Sequence, residues 1–171
     1  AKRASMDNPV FYVQYGYARL CSIKNRAKET FGLEVPRPTP QLLSRIDHPD
    51  ELAIVARLGR FPALVTEAAA LREPHRILHF VRELSQEFQS YFTRRKQEGD
   101  TILPLGAQMT QPGWEANWDR EKSAARLLWV ESIRTVYAAA LKLAGITALE
   151  HMHKLAGDAD RAAGDEEVEA S

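Results

Sequence analysis

The sequence predicts an all-α fold: an antiparallel bundle of about four to five helices, with a long loop before the last long helix and a disordered acidic tail. Apolar residues recur at intervals of three and four along most of the chain, whereas the alternation typical of strands is almost absent. Only 9 glycines and 9 prolines interrupt 171 residues that are 44% hydrophobic, which is enough for one well-buried core. We therefore expect one helical domain over residues 1–154 and the acidic tail over residues 155–171.

The first helix begins near the start of the chain. Asp7 or Asn8 can cap it, and Pro9 is favourable in its first turn. No helix-breaking residue follows until Gly32, so the helix is predicted to end at Phe31.

An extended connector is predicted over residues 33–48, because prolines at alternate positions exclude regular helix there. These prolines are Pro36, Pro38 and Pro40. Asp47 or His48 then caps a helix that starts at Pro49, and Pro62 is predicted to open a separate one.

The longest helix is predicted to start at Pro74, and its apolar positions follow the 4-3-4-3 spacing of a buried stripe. The stripe consists of Ile77, Val81, Leu84, Phe88 and Tyr91. Residues 97–119 contain repeated Gly and Pro without any period and predict a long loop or lid.

A final long helix is predicted from Asp119 to Ala144, with Gly145 as its stop. Its core side should contain Val130, Ile133, Tyr137, Ala140, Leu141 and Ala144. One or two further turns are expected between Thr147 and Leu155.

The zero net charge conceals an asymmetry. The acidic tail contains six acids and one Arg, net −5, which leaves 22 bases and 17 acids, net +5, in the rest of the chain. A mildly basic body is compatible with a nucleic-acid partner and equally with an ordinary mixed surface.

The sequence has no apolar stretch that predicts a signal peptide or a membrane span, and Cys21 is its only cysteine, so we expect a cytoplasmic protein.

Helical geometry gives the first helix two faces. At about 100° per residue, one face is an ordinary core stripe of Val10, Val13, Tyr17, Leu20 and Cys21. The other is a column of aromatic and basic groups within about 40° of one direction, formed by Asn8, Tyr12, Tyr15, Arg19 and Arg26. Such groups stack on unpaired bases and neutralise phosphate. The alternative is that the tyrosines pack under a neighbouring helix and Arg19 covers them.

Other constellations have mainly structural interpretations. His75, His79 and Glu83 share a helix face but lack a second cluster, so we expect no metal site. Cys21 faces the core without a neighbouring His base, which indicates a buried thiol. Trp114 and Trp118 either pin the long loop to the bundle or offer a stacking surface, and the first is favoured. The run from Thr93 to Lys96, which includes Arg95, ends a helix where positive charge is favourable; it could also meet phosphate.

Four segments carry a resemblance to a known family. "NPVFYVQYGYARLCSI" resembles "NPVYYVQYAHARI", with which arginyl-tRNA synthetases begin their C-terminal anticodon-binding (DALR-type) domain. "LREPHRILHFVRELSQEFQSYF" is similar to the family's "DPHRLAHYLYELAGAFHSFY", and "ARLLWVESIRTVYAAALKLAGI" to its "ARLALVEATRQVLANGLRLLGV". "TALEHM" is similar to its closing "SAPERM". The likeness covers residues 8–152 in order.

The resemblance implies a helical domain that binds the anticodon stem-loop of arginine tRNA, while a separate catalytic domain performs ATP-dependent aminoacylation. The partners implied are arginine tRNA and the catalytic and N-terminal domains of the same protein. The chain has no "HIGH"-like or "KMSKS"-like motif and no Gly-rich phosphate loop. We therefore expect a catalytically inactive C-terminal piece without a cofactor, whose parent enzyme uses ATP and Mg. Relatives mostly act as monomers, so we expect a monomer.

Carried over by position, the family's RNA-contacting residues fall on Tyr15, Arg19, Phe92, Lys96 and Met152. The family's Phe-Tyr order at the end of its "FHSFY" helix is reversed here to Tyr-Phe, and the chain continues 19 residues beyond Met152.

The sequence leaves three classes of function to consider. The anticodon-binding module is the main one, and a protein-interaction module with the same bundle is the alternative, since Tyr and Arg are also common interface anchors. An independent enzyme would need a nucleophile, base or metal constellation that the sequence does not show.

Overall fold

The structure, a computed structural model, describes residues 9–152. Within these residues it contains helices and no strand, which confirms the predicted all-α class. Four helices have 23 or 24 residues and three have four. In chain order they are α1 (Pro9–Phe31), α2 (Pro40–Leu43), α3 (Pro49–Leu71), α4 (His75–Glu98), α5 (Gly106–Met109), α6 (Trp114–Asn117) and α7 (Arg120–Leu143). The predicted domain boundary at residue 154 and the acidic tail lie outside the described residues.

The ends of the long helices follow local sequence signals. α1 stops before Gly32, whose φ of 58° lies in the left-handed region that glycine adopts without steric cost. The side chains of His48 and Asp119 accept backbone hydrogen bonds at the start of α3 and α7. The predicted caps of α1, Asp7 and Asn8, lie outside the described residues.

The prediction that Pro62 opens a separate helix is wrong, because α3 continues through it. Proline lacks the N–H that an interior position would donate, so the helix loses one hydrogen bond there. Side chains on both sides of the proline are nevertheless buried in the core: Ile54, Phe61 and Ala68. Packing of these residues keeps the two halves of α3 in one continuous helix, as tertiary contacts commonly override local propensity.

Two predicted irregular segments contain short helices. The connector over residues 33–48 includes α2, because the Thr39 side chain accepts a hydrogen bond from the backbone N–H of Leu42 and caps a single turn. The predicted loop over residues 97–119 begins with the end of α4 and contains α5 and α6. The expected turns after Thr147 are absent as far as Met152, the last described residue.

The long helices pack as a bundle with α1, α4 and α7 in mutual contact and α3 packed against α4 and α7. α1 and α7 are antiparallel: the Tyr137 hydroxyl donates to the carbonyl oxygen of Val13 at 2.8 Å, while Lys24, further along α1, pairs with the earlier residue Glu131 at 3.2 Å. α4 is likewise antiparallel to α3 and α7, so most neighbouring pairs have the predicted orientation.

The neighbouring helices α1 and α4 run in the same direction. Gly16 faces Ser85, and Arg19 contacts Phe92, so contacts advance together along both helices. The single long helix between them in sequence, α3, returns the chain to its starting end, which makes this orientation necessary. The shallow surface along this parallel pair contains several of the predicted site residues.

A buried ionic network joins α3, α4 and α7. The guanidinium of Arg126, which is 1% exposed, donates from Nε to Glu51 Oε1 at 2.7 Å and through both terminal nitrogens to the Asp100 carboxylate at 2.7 Å. Glu51 is fully buried and also accepts from the Tyr91 hydroxyl at 2.5 Å. Trp129 donates to the Glu51 carbonyl at 3.3 Å. Each buried charge therefore has a hydrogen-bonded partner, as a stable interior requires.

Stability is expected to fall at low pH as Asp100 becomes protonated. The Arg126 hydrogen bonds hold the pKa of Asp100 at about 2, below its usual 3.8. Because the folded-state pKa is depressed, this contribution is present above about pH 4 and is lost as pH falls towards 2. Urea unfolding of the parent and of Asp100→Asn from pH 5 to pH 2 should show the stability difference between them narrowing over this window. A constant difference would contradict this prediction.

Candidate nucleic-acid interface

The predicted column on α1 lies on one flank of that helix, beside α4. Its described members are all half-buried: Tyr12, Tyr15, Arg19 and Arg26. On the core side of α1, Val13, Tyr17, Leu20 and Cys21 are buried as predicted, whereas Val10 is exposed. We call the surface formed by Tyr12, Tyr15, Arg19 and Arg26 of α1 with Phe92 and Lys96 of α4 the α1/α4 flank.

The centre of the α1/α4 flank is a guanidinium held between two aromatic rings. Arg19 Cζ lies 5.2 Å from the ring centroid of Tyr15 and 5.1 Å from that of Phe92. The same guanidinium donates to the Tyr15 hydroxyl at 2.9 Å and to Oε1 of Gln89 at 2.5 Å. These contacts fix the cation and both rings in position, and a guanidinium has five N–H donors, so some remain for a further acceptor.

Arg26 occupies the far end of the flank, where the loop after α4 returns to α1. Its guanidinium lies 5.5 Å from the Phe31 ring centroid and donates to the carbonyl oxygen of Pro104 at 2.6 Å. Phe31 also contacts Trp118 at 5.1 Å and Trp114 at 6.3 Å between ring centroids. The two tryptophans thus pack the loop against the end of α1, in agreement with the pinning interpretation.

Arg95 lies apart from the other predicted residues of α4. It is buried, and its guanidinium contacts Glu98 at 2.5 Å and Asp100 at 3.6 Å. Its position continues the buried 4-3-4-3 stripe of α4, a signal that the basic run around it conceals. Lys96, one turn beyond Phe92, is half-buried on the flank.

The remaining predicted residues have different positions. Tyr12 packs against the hydrophobic core while keeping part of its surface exposed, so the packing alternative describes part of its environment. Met152 is partly buried in the segment that follows α7. Asn8 lies outside the described residues. Of the predicted residues, the structure brings three into direct contact: the Arg19 guanidinium touches the rings of both Tyr15 and Phe92.

Sequence reasoning missed Gln89, which accepts the shortest hydrogen bond that Arg19 makes. Its signal was available: Gln89 precedes Phe92 by three residues and therefore lies beside it on α4. The sequence did not show that α4 runs parallel to α1, so the side of α4 facing Arg19 could not be chosen in advance.

Three other features would also bear on function within residues 9–152: a metal site, a reactive thiol and a membrane-spanning helix. No group of three or more His, Cys, Asp or Glu side chains there is arranged to hold a metal ion, and His75 and His79 contact each other with ring centroids 5.9 Å apart. Burial raises the pKa of the Cys21 thiol, which disfavours the nucleophilic thiolate. No helix in this range combines the length and apolar character needed to span a bilayer.

The electrostatics of the flank favour an anionic partner. α1 contains four basic residues and a single acid, Glu29. Among residues 9–152, Arg19 donates to a hydroxyl and an amide oxygen, both uncharged, so no carboxylate of this part of the chain holds its positive charge in place. A positioned cation between aromatic rings is suited to bind phosphate and unpaired bases.

Comparison with known proteins identifies the family of the chain. Residues 13–152 match the family described as the DALR anticodon binding domain. The chain is 38% identical over 152 residues to arginine–tRNA ligase of Xanthobacter autotrophicus, in an alignment that covers 86% of this chain and 24% of that protein. The corresponding ligases of Anaeromyxobacter sp. and Symbiobacterium thermophilum are 34% and 38% identical, and each alignment covers 89% of this chain. The chain spans about a quarter of the length of these relatives. Since the family match covers most of the chain, the chain belongs to the DALR anticodon-binding domain family of arginyl-tRNA synthetases.

Proposed function

We propose that this domain binds the anticodon stem-loop of arginine tRNA and positions the tRNA for aminoacylation by another part of the same enzyme. The observation that carries the proposal is the contact among Tyr15, Arg19 and Phe92 on the α1/α4 flank. Family membership supports it, because the family is described by anticodon binding.

An anticodon loop presents unpaired bases next to closely spaced phosphates. In our proposal, bases stack on the exposed parts of the Tyr15 and Phe92 rings, and Arg19, Arg26 and Lys96 contact phosphate. Each base stacked on an aromatic side chain contributes about 1–3 kcal/mol, so two such contacts would give measurable affinity. Tyr12, Met152 and Asn8 are proposed as peripheral contacts. Arg95 is not included, because Glu98 and Asp100 already bind its guanidinium inside the fold.

For the whole enzyme, we propose an arginine–tRNA ligase that acts as a monomer in the cytoplasm and uses ATP and Mg. These would bind in a catalytic domain outside this chain, and the chain alone would be catalytically inactive. Its relatives are named arginine–tRNA ligases, and it aligns with about a quarter of their length. The alternative is a protein-interaction module, for which Tyr12 and Tyr15 would serve as anchors.

The test is a salt-dependent titration of the chain with an arginine tRNA anticodon stem-loop and with a scrambled-loop control. The double variant Tyr15→Ala/Arg19→Ala should weaken cognate binding by about 5–150-fold, equivalent to about 1–3 kcal/mol for one lost stack. Its slope of log affinity against log salt should fall by about 0.7–0.9 if one phosphate contact is lost. The matched control is Arg60→Ala on α3, which should leave both quantities unchanged.

Two results would contradict the proposal. One is equal affinity for cognate and scrambled loops. The other is parental affinity in the Tyr15→Ala/Arg19→Ala variant. Circular dichroism at the titration temperature establishes that each variant is folded, so that a loss of binding is not a loss of structure.

A further inference from the structure

We propose that the α1/α4 flank has a second ligand within the same chain: the acidic tail, residues 155–171. In this proposal the carboxylates of the tail contact Arg19 and the neighbouring cations, and the tail thereby competes with an RNA backbone for the same positive charges. Competition with RNA rests on the proposed function, whereas contact between tail and flank does not.

Charge complementarity is the first argument. The tail contains six acids and one Arg, net −5. The flank contains Arg19, Arg26 and Lys96 and no acid, and the whole of α1 contains one acid among four bases. A segment of this charge and a surface of the opposite charge attract one another over roughly a Debye length, about 8 Å at physiological ionic strength.

The state of Arg19 is the second argument. Some other surface arginines are neutralised by carboxylates: Arg57 pairs with Glu83 at 2.8 Å and with Glu87 at 2.5 Å. Arg94 pairs with Asp50 at 2.7 Å. Arg19 instead donates to uncharged oxygens, and the rings of the flank hold it in one position. A carboxylate that reaches it therefore meets a fixed cation for which residues 9–152 supply no carboxylate partner.

The tail is also long enough to reach the α1/α4 flank. The Gln14 side chain of α1 donates to the carbonyl oxygen of Thr147 at 3.0 Å, so the segment after α7 lies against α1. Successive helical residues are about 100° apart, so Gln14 lies on a neighbouring side of α1 from Tyr15, and the tail has to pass around the helix to reach the flank. Asp158 follows Met152 by six residues and can lie up to about 20 Å from it. The 17 residues of the tail can extend about 56–61 Å, whereas α1 is about 35 Å long, so the tail can follow the whole flank.

Tethering makes weak contacts effective. A segment joined by a short linker has an effective local concentration in the millimolar range, so individually weak ion pairs can be substantially occupied. A tail that covers the flank about three quarters of the time would weaken apparent RNA affinity about fourfold, because only the uncovered fraction binds.

The contact can be tested without RNA. A nitroxide is attached to the full chain at Ala170→Cys in a Cys21→Ala background, and the broadening of backbone amide signals is measured at 25 and at 500 mM salt (about 20 and 4 Å Debye lengths). We expect strong broadening near Arg19 and Phe92 at low salt and little near Arg60 on the distal helix α3. High salt, or replacement of all six tail acids by Asn or Gln, should remove the difference. Equal broadening on both surfaces, or broadening centred on α3, would overturn the proposal.

RNA binding supplies the second readout. The neutralised tail should raise affinity for the anticodon stem-loop about fourfold at low salt, and the gain should disappear when Arg19→Gln is added. Because the spin-label measurement does not require RNA, failure of the proposed RNA binding can be distinguished from failure of the proposed contact between tail and flank. Absence of RNA binding with a flank-specific contact would contradict only the proposed function. RNA binding without the contact, and without a gain from the neutralised tail, would overturn only the inference.

Discussion

Replacing Arg126 with methionine is expected to lower the free energy of unfolding by about 3–5 kcal/mol. The guanidinium is 1% exposed and hydrogen-bonds the fully buried Glu51 as well as Asp100. Methionine fills much of the volume but leaves the Glu51 carboxylate in the interior with two neutral donors, the Tyr91 hydroxyl at Oε1 and the His48 backbone N–H at Oε2. An ionised carboxylate without a positive partner is strongly disfavoured there.

The free energies of unfolding of the parent and the variants can be measured in urea at pH 7. Adding Glu51→Gln to Arg126→Met should recover part of the loss, because the second substitution removes the uncompensated charge. The control is Arg76→Met: Arg76 also binds two carboxylates, Glu73 and Glu67, but lies nearer the solvent, so its loss should change stability much less than the loss of Arg126. If Arg126→Met is no more destabilising than Arg76→Met, the network does not stabilise the fold as argued.

The extents of α1, α4 and α7 were predictable because each of these helices carries its own boundary signals and its own buried stripe, whereas α3 was predicted as two helices divided at Pro62. Gly32 ends α1, His48 caps α3, and the stripe of α4 from Ile77 to Tyr91 is buried throughout. These signals act within a few residues of one another and do not depend on which helices become neighbours. The family resemblance then supplied the anticodon-binding interpretation, which periodicity alone left beside a packing alternative.

Features that depend on tertiary neighbours were not predictable in the same way. Arg126 precedes Val130 by four residues on the core side of α7, yet its carboxylate partners lie 75 and 26 residues away. Arg95 similarly occupies the next position of the buried stripe of α4, where the basic run suggested a surface contact. In both cases the spacing marked a buried position, but the residue type gave no indication of the carboxylate that makes burial possible.

A second large effect on stability is expected at Gly16, where α1 lies close to both α4 and α7. A Cβ at Gly16 would lie 2.6 Å from the hydroxyl oxygen of Tyr137 and even closer to the Ser85 hydroxyl, well inside van der Waals contact. Gly16→Ala should therefore destabilise the fold by about 1–3 kcal/mol, because a tightly packed site must shift to admit a methyl group. The shift also disturbs the hydrogen bond from Tyr137 to Val13 that joins α7 to α1.

The matched control, Gly59→Ala, is expected to change the free energy of unfolding in the opposite direction. Gly59 lies inside α3, and a Cβ there would meet no atom within 4 Å. Gly59→Ala should therefore raise the free energy of unfolding by about 0.5–1 kcal/mol through helix propensity alone. Urea unfolding of the two single variants separates packing from propensity, and stabilisation by Gly16→Ala would show that the helices have room to separate. Because the separation of α1 and α4 also lets Arg19 touch Phe92, we expect the Gly16→Ala variant to bind the anticodon stem-loop more weakly even where it remains folded.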